Sequence, residues 1–301
     1  MTSTLEEALQ TIQSQPDYKV LKRVPEQLET IDTIDSRVFR LAIIDLETTG
    51  LKSETDEIIE IGTLIVEFTN EHGFTAVAFT DNQLQEPNSP ISAEITAITG
   101  ITNDEVAGCQ IDWDSLLEAL ADVDLVVCHN ANFDRKFLER QTPEKVSQLF
   151  QKKAFGCSAR DIDWKLLGYE GAKLEYLNLK MGYFYAGHRA LVDCWATLNI
   201  LNQVPEAFAQ LKQSVREKQL VICAINADFD KKDILKERGY RWSDGSSDLP
   251  KCWHTVVKED AYEDEMHYLQ TEIYGGRSVN LPSGSINAFS RYSGREYQIP
   301  T

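Results

Sequence analysis

Residues 41–50 read LAIIDLETTG, an apolar run that passes directly into Asp45 and Glu47. A short continuous apolar stretch of this kind fits a strand buried on both faces. Strand side chains alternate, so Asp45 and Glu47 point the same way, separated at the backbone by two strand rises or ~6.6 Å. Two carboxylates projecting into one spot beside an apolar core repel each other and are poorly solvated. Without a cation that arrangement is costly. The plain alternative is a strand that has already ended, with both acids in water, and D-x-E also recurs by chance in a chain this long.

The same design recurs further on. DLVVCHNANFD again runs an apolar strand into a polar turn, and Asp134 falls on the first turn of the next helix, with Phe133 and Phe137 as its i, i+4 packing pair. Taken alone, an Asp there serves the helix dipole or a cap. GHRALVD then offers His188 and Asp193. Gly187 places the helix start at or just after His188, which leaves the imidazole on a turn and Asp193 on the helix proper. Were both helical, five residues would set them about 140° apart around the axis. Four carboxylates and one histidine suit magnesium or manganese better than zinc, whose sites favour Cys and His. Two divalent ions would balance four acids, and two such ions ~4 Å apart stabilise both the attacking and the leaving oxygens of phosphodiester cleavage.

With 301 residues and 42 % hydrophobic content, the chain has room for one sizeable domain and a smaller one. Six dispersed cysteines without a C-x-x-C pair exclude a zinc knuckle or a disulfide framework and leave reduced, mostly buried thiols. The first twenty residues lack the charged and apolar regions of a signal peptide, and no apolar run approaches the ~18 residues of a membrane span. The expectation is a cytoplasmic protein with no membrane partner. A net charge of −18 excludes a generic nucleic-acid-coating protein, yet residues 135–190 hold eleven Lys and Arg against six Asp and Glu. That surplus fits either a local basic face or ordinary solvated helices.

Patterning divides the chain into an acidic, partly helical extension (1–36), a mixed α/β domain (37–202), a charged helical linker (203–218), a small α/β unit (219–275) and a tail (276–301) rich in Ser, Gly and Asn and expected to be loosely ordered. In the main domain RVFRLAIID, IIEIGTLIVEF and GFTAVAFT read as an antiparallel start to a sheet, and DNQLQEPNSP as a loop. Thr102 and Glu105 form a capping-box pattern for a short helix. A helix-rich stretch over 143–182 precedes the last helix, RALVDCWATLNILNQV. The small unit reads as a strand (QLVICAINA), a helix (DKKDILKERG), a hairpin around Asp244-Gly245 and an acidic helix. Its Lys231, Lys232, Lys236, Arg238 and Arg241, with Trp242 and Trp253, offer a stacking and phosphate surface for a single strand. More commonly such tryptophans fill the core of a small unit.

In this order, DLETTG, DEIIEIG, ITGITNDEV, HNANFD and HRALVD resemble the motifs of the DEDDh, DnaQ-like 3′-to-5′ exonucleases, which include the epsilon-type proofreading subunit of bacterial replicative polymerase. The resemblance covers residues 38–202 and implies an RNase H-like fold, a mixed sheet flanked by helices, here with a small C-terminal α/β domain added. It implies two Mg²⁺ or Mn²⁺ ions per active site. Asp45, Glu47 and Asp193 would hold one, and Asp45 would bridge to a second that Asp134 supports. His188 would be the general base toward the attacking water, a role suited to an imidazole that is largely neutral near cytosolic pH, and the products would be nucleoside 5′-monophosphates. The related tyrosine subclass would place Tyr four residues before the last Asp, where Arg189 stands. Thr48, Thr49 and Leu51 match positions that touch the terminal nucleotide, although a polar turn closed by Gly50 accounts equally for Thr49 and Leu51. The implied partner is a nucleic-acid 3′ end, DNA ahead of RNA and single-stranded or mismatched, with a polymerase or other protein partner through the C-terminal region. The alternatives are a polymerase-docking scaffold, an exoribonuclease of the same family, and an endonuclease on the same fold.

Overall fold

The apolar run ahead of Asp45 occupies the middle of a five-stranded sheet. The computed structural model describes residues 2–33, 36–245 and 249–295, and the chain divides into two units, Met1–Lys212 and Gln213–Thr301. The first holds strands β1 (Lys22–Arg23), β2 (Phe39–Thr48), β3 (Ile58–Thr69), β4 (Gly73–Leu84), β5 (Leu125–Cys128), β6 (Ala154–Cys157) and β7 (Tyr183–Phe184). Its helices are α1 (Thr2–Gln13), α2 (Ala93–Thr99), α3 (Asn103–Val106), α4 (Trp113–Leu120), α5 (Ala131–Arg140), α6 (Glu144–Lys152), α7 (Leu174–Lys180) and α8 (Ala190–Gln203), with α9 (Pro205–Arg216) running across the boundary.

The main sheet has the order β4-β3-β2-β5-β6. β2, β3 and β4 form an antiparallel meander, whereas β5 and β6 lie parallel to β2 and need helical crossovers. This is the mixed sheet flanked by helices expected of an RNase H-like fold. Leu41, Ala42, Ile43 and Ile44 are buried to 1 % exposure or less, as a central strand covered on both faces requires. The register pairs Asp45 with Gly62, and Asp45 and Glu47 stand on one face as alternation demands.

Three features depart from the sequence reading. β4 continues through Asp81–Leu84, residues expected to be loop, because their backbones complete the ladder to β3 as far as the Glu60–Leu84 pair. The expected helix-rich stretch contains the edge strand β6, whose four residues AFGC are too few to show a period. The N-terminal extension does more than lead in: β1 pairs parallel with β7, and the Lys22 and Val24 amides donate to the Gly182 and Phe184 carbonyls at 2.9 Å each. The extension therefore braces the chain shortly before His188. The short helix α3 does begin at Thr102, whose hydroxyl accepts from the Glu105 amide.

The second unit contains β8 (Gln219–Ala224), β9 (Arg241–Ser243), β10 (Cys252–Lys258) and β11 (Ser283–Ile286), with helices α10 (Lys232–Glu237) and α11 (Tyr262–Tyr268). Its sheet order is β11-β8-β10-β9. Alternation along β8 sends Ile222 and Ala224 into a core with Leu235, Tyr240 and Leu269, and Val221 and Cys223 into a second core with Leu249, Cys252 and Ile286. The loose order expected of 276–301 does not hold over 283–286, which pair antiparallel with β8. Arg291 is also buried, and its guanidinium donates to the Ser214 hydroxyl at 2.9 Å and the Glu217 carbonyl at 3.0 Å. Residues 246–248 of the expected hairpin turn and 296–301 of the expected tail lie outside the described residues.

Helix α8 presses on the sheet where it carries the acids. A side chain at Gly62 would overlap the backbone of Ala190 and Leu191, and one helical turn later the Cys194 thiol donates to the Ile43 and Gly62 carbonyls at 3.4 Å. Only glycine allows this approach. Gly62→Ala is expected to destabilise the first unit by about 1–3 kcal/mol through overpacking, read as a lower denaturation midpoint; an unchanged midpoint would show that α8 can shift freely.

Candidate active site

Three elements bring the acids together. β2 supplies Asp45 and Glu47, α8 supplies Asp193, and carboxylate oxygens of these three lie within 4.8 Å of one another. α5 supplies Asp134, which is 2 % exposed and whose charge acts on Asp45. Its carboxylate is held by a hydrogen bond from the Leu46 amide, so the helix is fixed to the strand between the two β2 acids.

Burial acts in one direction on all four acids. Asp45 is raised well above the ordinary carboxylate range by burial first, then by repulsion from Asp134, Asp193 and Glu47. Burial and the charges of Asp193, Glu60 and Asp134 push Glu47 up to about 8, against a smaller lowering by Arg189. Burial likewise raises Asp134 to about 7 and Asp193 to about 6, where backbone donors limit the rise. A site built for neutral acids would need no such convergence. The donor set is oxygen-only, and the four negative charges it would carry fit divalent cations of the magnesium type.

His188 lies on the exposed loop before α8 with φ 66°, a left-handed conformation uncommon for a non-glycine residue. That turn is held by Asp193, whose Oδ2 accepts from the His188 amide at 2.8 Å and the Arg189 amide at 3.2 Å, while the Tyr185 hydroxyl donates to the same carboxylate. Arg189 is the N-cap and α8 begins at Ala190, so the helix starts just after His188 as expected. The histidine backbone is thus anchored to one of the clustered acids, and its ring is left in solvent. His129 differs in every respect. Its Nε2 faces the Ala172 carbonyl at 2.7 Å and must donate, so Nδ1, 2.8 Å from the Ser158 hydroxyl, accepts. Burial pushes His129 down to about 4, and it is a neutral structural residue.

Around the entry to α8 lies a network that the motif reading did not single out. Glu60 is fully buried; its carboxylate accepts from Asn82 at 2.8 Å, from Arg189 Nε at 3.0 Å and from the Ala190 amide at 2.9 Å. Asn82 in turn accepts from the Leu191 amide at 3.2 Å, and the Arg189 guanidinium reaches Glu105 at 3.2 Å. Orphan amides at a helix start need acceptors, and here β3 and β4 supply them. The signal was present in DEIIEIG, where an acid interrupts an apolar strand. Tyr185 gave no signal beyond its place three residues before His188.

The remaining expected residues are dispersed in role. Thr48 is buried, and its hydroxyl donates to the Gly50 carbonyl at 2.5 Å; the Thr49 hydroxyl accepts from the Glu57 amide at 2.9 Å. Both close the turn after the acids. Leu51 stands 86 % exposed beyond it, open to a ligand. Part of the basic surplus over 135–190 is internal, since Arg135 is fully buried, bonded to Glu139 at 2.7 Å and stacked 4.2 Å from the Phe155 ring centre.

Comparison with known proteins gives this geometry a family. The RNase_T family model, described as Exonuclease, matches residues 42–201. An uncharacterized exonuclease of Escherichia phage 186 is 31 % identical over 58 % of this chain and 91 % of that protein. DNA polymerase III subunit epsilon of Treponema pallidum is 32 % identical over 50 % of this chain and 68 % of that protein. DNA polymerase III PolC-type of Caldanaerobacter subterraneus subsp. tengcongensis is 28 % identical over 77 % of this chain, which spans only 16 % of that protein. Among solved structures, Exonuclease X in complex with 5′ overhanging duplex DNA aligns with a TM-score of 0.42 at 26 % identity, covering 57 % of this chain and 98 % of that one. No helix among the described residues is long and apolar enough to cross a membrane. The family match spans the strand that carries Asp45 and Glu47, the helix that carries Asp134 and the helix that carries Asp193, and the chain belongs to the RNase_T exonuclease family of DEDD-type 3′-to-5′ nucleases.

Proposed function

We propose that the chain hydrolyses the terminal phosphodiester bond at the 3′ end of single-stranded or mismatched DNA and releases nucleoside 5′-monophosphates. The convergence of Asp45, Glu47 and Asp193 within 4.8 Å carries this reading. These three would hold one divalent ion, and Asp45 with Asp134 a second. When bound, such ions, Mg²⁺ or Mn²⁺ by donor type, offset the carboxylate charge and stabilise the attacking and leaving oxygens. His188 takes the proton of the attacking water: its ring is solvent-exposed, its backbone is tied to Asp193, and His129 has both ring nitrogens engaged. Leu51, at the mouth of the turn, packs against the terminal base, while Thr48 and Thr49 hold the turn that presents it. DNA is placed ahead of RNA because relatives matching this chain are DNA polymerase III proteins. The same names favour partnership with a polymerase as a second reading, tested by co-purification with and without residues 213–301.

With Mg²⁺, a 5′-labelled single strand is expected to shorten in single-nucleotide steps and a 3′-labelled one to lose its label at once as a 5′-monophosphate. Shortening from the 5′ end, or products bearing a 3′-phosphate, would contradict the proposal. His188→Ala is expected to lower kcat by about 10²- to 10⁴-fold, the range of one general base, without moving the melting temperature.

The acids make metal-free stability depend on pH. Glu47 rises from 4.5 to about 8, and Asp134 from 3.8 to about 7. A raised group contributes stability that is fully present below its unfolded value and is lost as pH rises through its folded value. In chelator, the melting temperature should therefore fall between about pH 4 and pH 8. Asp45→Asn should flatten that slope and raise the metal-free melting temperature, and saturating Mn²⁺ should stabilise the wild type more as pH rises. A metal-free melting temperature that climbs with pH over this window would refute the electrostatic reading.

A further inference from the structure

The second unit keeps aromatic surface in water. Trp242 is 50 % exposed and Phe229 is 79 % exposed, although burying such rings is among the largest gains open to a small fold. The expectation that both tryptophans fill the core holds only for part of Trp253, which packs against the Ile222–Leu235 cluster. Trp242 stands directly opposite Trp253 in the β9–β10 register and so shares its face, and β9 is the edge strand. The two rings meet edge to face with centroids 5.5 Å apart.

Two cations lie against these rings. Lys236 Nζ lies 5.9 Å from the Trp253 ring centroid, and Lys232 Nζ lies 4.3 Å from that of Phe229. The two lysines are four residues apart on α10 and share a face. Phe229, Lys232, Lys236, Trp253 and Trp242 therefore form one strip in which two ammonium groups lie between Phe229 and the tryptophan pair. Among the described residues neither lysine pairs with a carboxylate, whereas Arg238 is committed to the fold, bonded to Glu265 at 2.9–3.1 Å and stacked 3.5 Å from the Tyr268 ring centroid. Residues 228–241 hold five Lys and Arg against four Asp and Glu, so this segment lacks the large acidic excess of a chain whose net charge is −18.

Rings that accept stacking, set among cations that meet phosphates, suit unstacked bases; a duplex hides its base faces and would use the charges alone. We infer that this strip is a sequence-tolerant binding surface for single-stranded nucleic acid, built by the second unit itself. The inference goes beyond the hydrolytic reading and does not depend on it.

The test uses the full chain carrying Asp45→Asn, in chelator, so that no strand is consumed. Affinity is followed by anisotropy of a labelled mixed-sequence single strand and of a blunt duplex across salt concentrations, with tryptophan fluorescence as a second readout. The single strand should bind more tightly than the duplex and quench the fluorescence. Adding Trp242→Ala should weaken single-strand binding about tenfold, the size of one base-stacking contact, and Trp242→Phe should restore most of it. Adding Lys236→Glu should weaken binding and lower the slope of log affinity against log salt by about 0.7, one phosphate contact. Trp242 and Lys236 lie at the surface, so unchanged melting temperatures confirm that these variants fold. Unaltered affinity and salt slope in both variants would overturn the inference, as would equal binding of duplex and single strand, or preferential binding of an acidic or proline-rich peptide. A failed hydrolysis assay leaves these outcomes standing, because no strand is cut in the binding measurement.

Discussion

Mutual repulsion among half-buried carboxylates at the end of β2 is the constraint to which the rest of the first unit answers. Asp45 and Glu47 share a face because strand side chains alternate, and burial raises both acids before any neighbouring charge is counted. Both keep only part of their surface in water. To these α5 adds Asp134 against the Leu46 amide, and α8 brings Asp193 within 4.8 Å of the pair. Every added acid makes the metal-free state less favourable, and a divalent cation held there would couple folding stability to metal binding.

Holding that arrangement takes structure outside the acids themselves. The start of α8 must lie close to β3, which Gly62 permits and which the Glu60, Asn82 and Arg189 network fixes by meeting the first helical amides. Asp193 then serves two purposes. It faces the other acids, and its remaining lone pairs hold the turn that displays His188. On the preceding segment, pairing between β1 and β7 ties the N-terminal extension to the same approach.

The strand ahead of Asp45 and the helices bearing Asp134 and Asp193 were legible in the sequence because burial on both faces, apolar periodicity and motif order all agree there. The short strand β6 and the continuation of β4 were not, since four residues carry no period and Asp81–Leu84 looks polar while its pairing is made by backbone. Glu60 was visible as an acid inside an apolar run, but its role depends on partners from β4 and α8 that no local pattern names. Trp242 shows the same limit from the other side. Composition left core and surface open, and only the position of β9 at the sheet edge decides that its ring stays half in solvent.

The central claim is that the converging acids form a divalent-cation site, and calorimetric titration of the full chain with Mn²⁺ near pH 7, repeated in buffers of different ionisation enthalpy, tests it most directly. Glu47 at about 8 and Asp134 at about 7 hold protons that a cation must displace. The account expects saturable binding accompanied by proton release, with both lost or greatly reduced in Asp45→Asn. No saturable binding, or binding that Asp45→Asn leaves unchanged, would contradict it.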